Sequence, residues 1–153
     1  MKVIRGDLIE LALNGTFDVI VHGCNCFCVM GAGVAKTIKK VFPEAYKADC
    51  ETVKGERDKL GVISYARIKR EGREIWVVNG YTQYHWRGRG ELVDYRAVRS
   101  VMREVKSMFA GKRIGYPKIG AGLAQGDWKI ISEIIEDELR GENHTLVEYA
   151  PNI

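Results

Sequence analysis

Hydrophobic residues follow two patterns that alternate along the chain. Short apolar runs rich in β-branched residues predict strands at residues 2–5, 17–21, 62–68, 74–79, 112–117 and 145–149. Apolar residues at helical spacing predict helices at residues 8–13, 92–109 and 128–140, one that starts within residues 31–33, and one that begins at Pro43. This alternation predicts an α/β protein, a three-layer α/β/α domain whose ligand crevice lies beyond the carboxyl ends of the strands.

Two details refine this arrangement. The strands at 62–68 and 74–79 are joined only by the hairpin-like turn 69–73, so the central sheet is predicted to be mixed. The helix that begins at Pro43 is predicted to carry Val53 on its apolar side and to end near Gly55.

Two strand-loop-helix units carry glycine loops. The first loop contains Gly31-Ala32-Gly33, and the second covers residues 118–127, about ninety residues later. A helix that starts at such a loop presents unpaired N–H groups and the positive end of its dipole, which suits phosphate. The first loop is neither a Walker A loop nor a dinucleotide fingerprint, because Val34 and Lys36 occupy the diagnostic positions. Alternatively, the glycines only pack a helix against a strand.

Two other segments have candidate chemistry. Residues 80–90 combine aromatic, basic and glycine residues, a composition typical of a ligand loop and also of an ordinary surface loop. Asp7 follows the first strand, where it is expected either to cap the next helix or to accept a hydrogen bond from the amino group of a base.

Composition limits the function classes. The chain has 153 residues, of which 46% are hydrophobic and 29% charged, and a formal net charge of +4. We therefore expect one domain over residues 1–153. No apolar run is long enough to span a bilayer and no secretory signal is visible, so a cytoplasmic protein is expected.

Three of the four cysteines alternate in one segment. Strand alternation would place Cys24 and Cys28 on one face and Cys26 on the other. Cys50 and the three histidines have no metal-like spacing, so we expect reduced thiols, no metal and no cofactor.

Four motifs in this order resemble the macrodomain, the ADP-ribose-binding module, over essentially the whole chain. They are Gly6-Asp7-Leu8, residues 25–35, residues 117–123 and Val147-Glu148-Tyr149. The resemblance implies a mixed six-stranded sheet between helices. It also implies that Asp7 reads adenine, that Tyr149 lies beside it, and that Asn25 meets the distal ribose. The ligand-binding residues implied in this way are Asp7, Leu8, Asn25, Met30, Gly31, Ala32, Gly33, Val34, Tyr81, Ile119, Gly120, Ala121, Gly122, Leu123, Ala124 and Tyr149.

Residues 21–26 are most similar to the macrodomain branch that dephosphorylates ADP-ribose 1''-phosphate. A histidine at the place of His22 takes part in hydrolysis there, so His22 and Asn25 are the implied catalytic residues. A lone histidine at a strand end is also a common core residue. The branch that removes ADP-ribose with a lysine and an aspartate fits less well, since their places fall near Tyr81 and at Ala124, and Met30 replaces the histidine of a viral-type group.

Three functions therefore stay open at this point. The first is metal-independent hydrolysis of ADP-ribose 1''-phosphate, with His22, or more weakly His85, as acid or base. The second is an ADP-ribose reader without turnover, and the third is removal of ADP-ribose from protein or nucleic acid. The expected partner is ADP-ribose or its 1''-phosphate, with nucleic acid only as a modified target, no membrane, and a monomeric state.

Overall fold

The computed structural model describes residues 1–150. Its helices and strands follow the predicted order: β1 (Lys2–Gly6), α1 (Leu8–Leu13), β2 (Val19–Cys24), α2 (Gly33–Val41), α3 (Pro43–Cys50), β3 (Ile63–Arg70), β4 (Arg73–Tyr81), α4 (Tyr95–Phe109), β5 (Ile114–Tyr116), α5 (Trp128–Glu138) and β6 (His144–Tyr149). A short 3-10 helix, Arg57–Lys59, lies between α3 and β3.

The six strands form one sheet in the order β1-β6-β5-β2-β4-β3. Neighbouring strands are parallel except β3, which pairs antiparallel with β4. The predicted mixed sheet is therefore confirmed. Because five strands run in one direction, their carboxyl ends meet at one edge, where ligand sites of α/β proteins occur.

Helices cover both faces of the sheet and confirm the three-layer fold. On one face Ile9, Ile38 and Ala45 of the first three helices pack in a cluster with Ile20 and Val77. On the other face α4 and α5 pack against the sheet in a second cluster, whose members include Val101, Met102, Ile131, Ile135, Val21 and Val78. None of the helices in residues 1–150 is both long and apolar enough to cross a membrane.

Several element boundaries differ from the predicted ones. α3 ends at Cys50, and Val53 is 65% exposed, so its predicted place on an apolar helix face is wrong. The chain turns there because the Thr52 hydroxyl and the Cys28 thiol both bond to the carbonyl oxygen of Asp49. α4 begins at Tyr95 because Asp94 is its N-cap, accepting from the backbone N–H of Ala97.

β2 begins at Val19 and continues to Cys24, so it is shifted toward the first loop relative to the prediction. The predicted alternation of cysteines fails beyond Cys24, because Asn25 starts a turn. Cys24 and Cys26 are buried in one small cluster, Cys28 is half-buried and Cys50 is exposed, and all four are free thiols.

Candidate ligand-binding cleft

A cleft of about 550 Å³ lies at the carboxyl edge of the sheet. The ends of β2 and β5 form its floor, and one glycine loop rises on each side. The lining residues are Gly23, Cys24, Asn25, Val29, Gly31, Ala32, Gly33, Val34, Ala35, Gln83, Trp86, Arg87, Pro117, Lys118, Ile119, Gly120, Gly122, Leu123 and Ala124.

The N-terminus of α2 forms one wall of the cleft. Its N-cap is Ala32, which has no side-chain acceptor, so the first N–H groups of the helix lack a capping partner. By contrast, α1, α4 and α5 are capped by the carboxylates of Asp7, Asp94 and Asp127. Gly33 has a φ of +59°, which favours glycine, and a Cβ added there would meet nothing within 4 Å. α2 thus presents open backbone donors to the cleft.

The second glycine loop forms the opposite wall. The N–H of Gly126 donates to the carbonyl oxygen of Gly120 at 2.7 Å, and the N–H of Leu92 donates to that of Ala124 at 2.8 Å. Gly120 has a φ of +74° and passes so close to Val93 that a Cβ there would lie 2.6 Å from its Cγ2. The loop is therefore held in place by the segment between β4 and α4.

Asn25 lies at the floor, and its side-chain amide builds the turn that follows β2. Its Oδ1 accepts from the N–H of Phe27 at 2.9 Å, and its Nδ2 donates to the carbonyl oxygen of Val29 at 2.8 Å. One N–H and one lone pair of the amide are left over. Asn25 can therefore bind a hydroxyl of a ligand without leaving its turn.

The charged side chains of the lining are both basic. Arg87 and Lys118 line the cleft and are exposed, whereas the lining contains no carboxylate and no imidazole among residues 1–150. The same residues hold no group of three or more His, Cys, Asp or Glu side chains that could bind a metal ion. The cleft therefore favours an anionic ligand.

Ten of the residues predicted to bind the ligand line this cleft: Asn25, Gly31, Ala32, Gly33, Val34, Ile119, Gly120, Gly122, Leu123 and Ala124. Leu8 and Met30 are buried, and Ala121 packs at the margin of the core, so these three lie outside the lining. Asp7 and Tyr149 also lie outside it, next to each other in the fold, because Gly6 pairs with Tyr149. Tyr149 is 75% exposed.

His22 does not line the cleft. It is fully buried on the face of the sheet that α3 covers, and its Nε2 lies 2.7 Å from Oδ1 of Asn79. Burial lowers the pKa of His22 to about 4, so the ring is neutral at pH 7. Cys24 separates it from the cleft, with Sγ 3.7 Å from the ring Nδ1. The structure therefore places His22 in the core, outside the lining of the cleft.

Tyr81 belongs to the same buried polar network. It is 1% exposed, and its hydroxyl donates to Oδ1 of Asp49 at 2.7 Å and lies 2.7 Å from Oγ of Ser64. Burial raises the pKa of Tyr81, chiefly by desolvation, and burial also raises that of Asp49. Tyr81, a predicted ligand-binding residue, therefore does not line the cleft, because its side chain points to α3.

Nine lining residues were not among those predicted from the sequence. Most of them are immediate neighbours of predicted ones: Gly23, Cys24, Val29, Ala35, Pro117 and Lys118. The other three, Gln83, Trp86 and Arg87, come from the loop after β4, whose composition had indicated a ligand loop without identifying the contacts.

The fold and the cleft define a class of protein: a three-layer α/β domain with paired glycine loops at the carboxyl edge of a mixed sheet. Residues 21–135 match the family described as Macro domain. Because the match covers more than half of the chain, the protein belongs to the macrodomain family.

The relatives include a phage protein and two enzymes that are named as hydrolases. A 17.5 kDa protein from the tk-vs intergenic region of Enterobacteria phage T4 is 33% identical over 99% of this chain and 97% of its own. A DNA ADP-ribosyl glycohydrolase of Thermus aquaticus is 25% identical over 91% of this chain, which spans 38% of that enzyme. An ADP-ribose 1''-phosphate phosphatase of Meyerozyma guilliermondii is 39% identical over 54 residues, 35% of this chain and 30% of its own.

Solved structures agree on the fold. The macrodomain of Thermus aquaticus DarG superposes with a TM-score of 0.71 at 25% identity, covering 98% of this chain and 97% of that one. Thermosipho africanus DarTG in complex with ADP-ribose gives a TM-score of 0.73 at 18% identity, covering 99% of this chain and 42% of that one.

Proposed function

We propose that the protein binds ADP-ribose across the cleft and hydrolyses ADP-ribose 1''-phosphate to ADP-ribose and inorganic phosphate. The observation that carries this proposal is the uncapped N-terminus of α2, which faces the second glycine loop. Open N–H groups at a helix start bind phosphate oxygens, and two such walls suit a diphosphate. Relatives named for reactions of ADP-ribose groups support the same ligand.

The order of the strands supports an extended ligand. Asp7 follows β1 and Tyr149 ends β6, the two glycine loops follow β5 and β2, and Gln83 follows β4. From β1 to β4 there are four strand spacings, about 19 Å in all. Adenine at Asp7 and Tyr149 would thus leave the diphosphate between the loops and the distal ribose near Asn25.

The proposed reaction uses water. Water attacks phosphorus, the bond between phosphorus and the oxygen on C1'' breaks, and ADP-ribose leaves with that oxygen. The lining has no carboxylate or imidazole among residues 1–150, so the attacking water loses a proton to an oxygen of the substrate's own phosphate, and that oxygen passes the proton to the departing oxygen on C1''. Backbone N–H groups and the cations Arg87 and Lys118 stabilise the charge that grows on the phosphoryl oxygens.

Removal of ADP-ribose from a modified target is the second candidate. It is favoured by the extent of the Thermus relative, which aligns over 91% of this chain, whereas the phosphatase aligns over 35%. It is opposed by the resemblance, which puts the lysine used in that chemistry near Tyr81 and the aspartate at Ala124. We therefore rank it after the phosphatase reaction.

One set of assays separates the candidates. The protein is incubated in EDTA with ADP-ribose 1''-phosphate and, separately, with ADP-ribosylated oligonucleotide and protein, and binding of ADP-ribose is measured by calorimetry. We expect phosphate release from the first substrate. Release of ADP-ribose from a modified target indicates the second candidate, and binding without release indicates a reader. All three functions require ADP-ribose to bind in the cleft. The absence of binding at millimolar ADP-ribose, which corresponds to a binding free energy weaker than about −4 kcal/mol, would refute all three.

A further inference from the structure

The loop after β4, residues 82–94, is held against the cleft by specific contacts. At its base Gln83 and Val93 form a bridge, and the N–H of Asp94 donates to the carbonyl oxygen of Thr82 at 2.8 Å. The residues that form its tip pack on Phe27. The ring centroid of Phe27 lies 4.9 Å from that of Tyr84, 5.0 Å from that of His85 and 5.4 Å from that of Trp86.

This packing joins the loop to the turn that holds Asn25. The N–H of Cys26 donates to the carbonyl oxygen of Tyr84 at 2.9 Å, and Phe27 itself donates to Asn25. The Tyr84 hydroxyl also donates to the carbonyl oxygen of Gly55 at 2.8 Å. The loop tip and the floor of the cleft are therefore fixed relative to each other.

Arg87 is the residue that this loop presents to the cleft. Its backbone N–H donates to Nδ1 of His85 at 2.9 Å, and the His85 ring stacks on Trp86 with centroids 4.0 Å apart. The Gln83 amide donates to the carbonyl oxygen of His85 at 3.0 Å. The backbone of Arg87 is thus set by its neighbours, and the residue lines the cleft.

The guanidinium of Arg87 has no ion pair within residues 1–150. The acids nearest in sequence are used elsewhere, since Glu91 bonds to the Tyr95 hydroxyl and Asp94 caps α4. By comparison, Arg99 and Arg113 are paired with carboxylates. Among the described residues the cleft is lined by no acid, so this unpaired guanidinium on a fixed backbone is suited to bind two oxygens of a phosphate.

We infer that Arg87 is a specificity-determining residue that binds the phosphate on C1'' of the distal ribose. The inference rests on the proposed function for the direction of the ligand, because adenine at β1 and β6 places C1'' toward the end of β4. The diphosphate binds the backbone N–H groups of the two glycine loops, and the additional phosphate binds the guanidinium of Arg87. Arg87 therefore distinguishes ADP-ribose 1''-phosphate from ADP-ribose.

The test compares two ligands that the protein cannot consume. One is ADP-ribose, and the other is its 1''-methylphosphonate, in which CH₂ replaces the oxygen between C1'' and phosphorus. Dissociation constants are measured by calorimetry for the parent, for Arg87→Gln and for Arg89→Gln. Arg89 is an exposed arginine of the same loop that does not line the cleft, so its variant is the matched control.

We expect the parent to bind the phosphonate about tenfold more tightly than ADP-ribose, a difference of about 1.4 kcal/mol. Arg87→Gln should abolish this preference and leave the affinity for ADP-ribose within about twofold, while Arg89→Gln should keep the preference. A parent without preference, a preference that survives in Arg87→Gln, or an equal loss of both ligands would each overturn the inference. Phosphate release is measured separately, so a protein that shows the preference but no turnover would contradict only the proposed hydrolysis.

Discussion

A charge placed at Gly31 tests the phosphate site without disturbing the fold. Gly31 lines the cleft one residue before the N-cap of α2, and its φ is not in the left-handed region. A Cβ there would lie 3.8 Å from Cγ1 of Val29, an ordinary contact. Gly31→Glu therefore adds a carboxylate beside the proposed diphosphate in a backbone conformation that any residue adopts.

The expected effect on binding follows from electrostatic repulsion. One carboxylate and one phosphate charge roughly 6 Å apart repel by about 3 kcal/mol at an effective dielectric constant near 20. This repulsion should raise the dissociation constant of ADP-ribose about 100-fold. The free energy of unfolding should not decrease, because a carboxylate near a helix N-terminus is favourable by about 0.3–1 kcal/mol.

Gly33→Glu provides the contrast. It adds the same charge, but Gly33 has a φ of +59°, so this variant is strained as well as repulsive. A cost of about 1 kcal/mol would lower its melting temperature by about 2–4 °C. We expect both variants to lose ADP-ribose binding and only Gly33→Glu to melt earlier. Ile130→Glu, on the exposed side of α5, controls for net charge.

The assay pairs calorimetry with ADP-ribose and thermal unfolding on the same purified samples. Loss of binding in Gly31→Glu with an unchanged melting temperature supports the phosphate site. If Gly31→Glu melts normally and binds like the parent, then the first glycine loop only packs a helix against the sheet, and the reasoning is wrong.

Two other predictions concern Asp7 and His22. Asp7→Asn keeps the Oδ1 acceptor that caps α1 and removes the charge, so calorimetry should show ADP-ribose binding weaker by about 10- to 100-fold with an unchanged melting temperature; equal affinity would leave Asp7 as a cap only. His22 has a folded pKa of about 4 against 6.5 in the unfolded chain, so the unfolded chain binds more protons between these pH values. The free energy of unfolding should therefore fall as the pH drops through this range, by up to about 1.4 kcal/mol per pH unit. His22→Gln should flatten that fall in urea unfolding at pH 7, 5.5 and 4.5, and an unaltered slope would contradict the assignment.

Local patterns were sufficient for the elements and for much of the cleft. The buried run that ends at Cys24, the glycines after it and the helical spacing that follows lie within one short segment, so the first wall of the cleft could be predicted. The same reasoning applies to the second glycine loop. The expectation that the ligand is ADP-ribose came from the resemblance to macrodomains.

Contacts between distant segments could not be predicted. Trp86 and Arg87 reach the cleft only because the loop after β4 is tied to Cys26 and to Ala124, more than thirty residues away in each direction. The side of the sheet on which His22 lies could not be predicted either. β2 is apolar on both faces, and alternation alone does not tell which side meets α3. The turn at Asn25 depends on its side-chain amide and ended the predicted alternation of cysteines.

The missing cap of α2 links occupancy of the cleft to the free energy of unfolding. Three helices carry a carboxylate at their start, whereas α2 and α3 have no side-chain cap, and only α2 lines the cleft. At a ligand concentration of about 100 times the dissociation constant, binding adds about 2.7 kcal/mol to the free energy of unfolding. Bound ADP-ribose would then cap α2 reversibly. Because the added stability reduces the unfolded population, resistance to proteolysis would rise with the concentration of ADP-ribose.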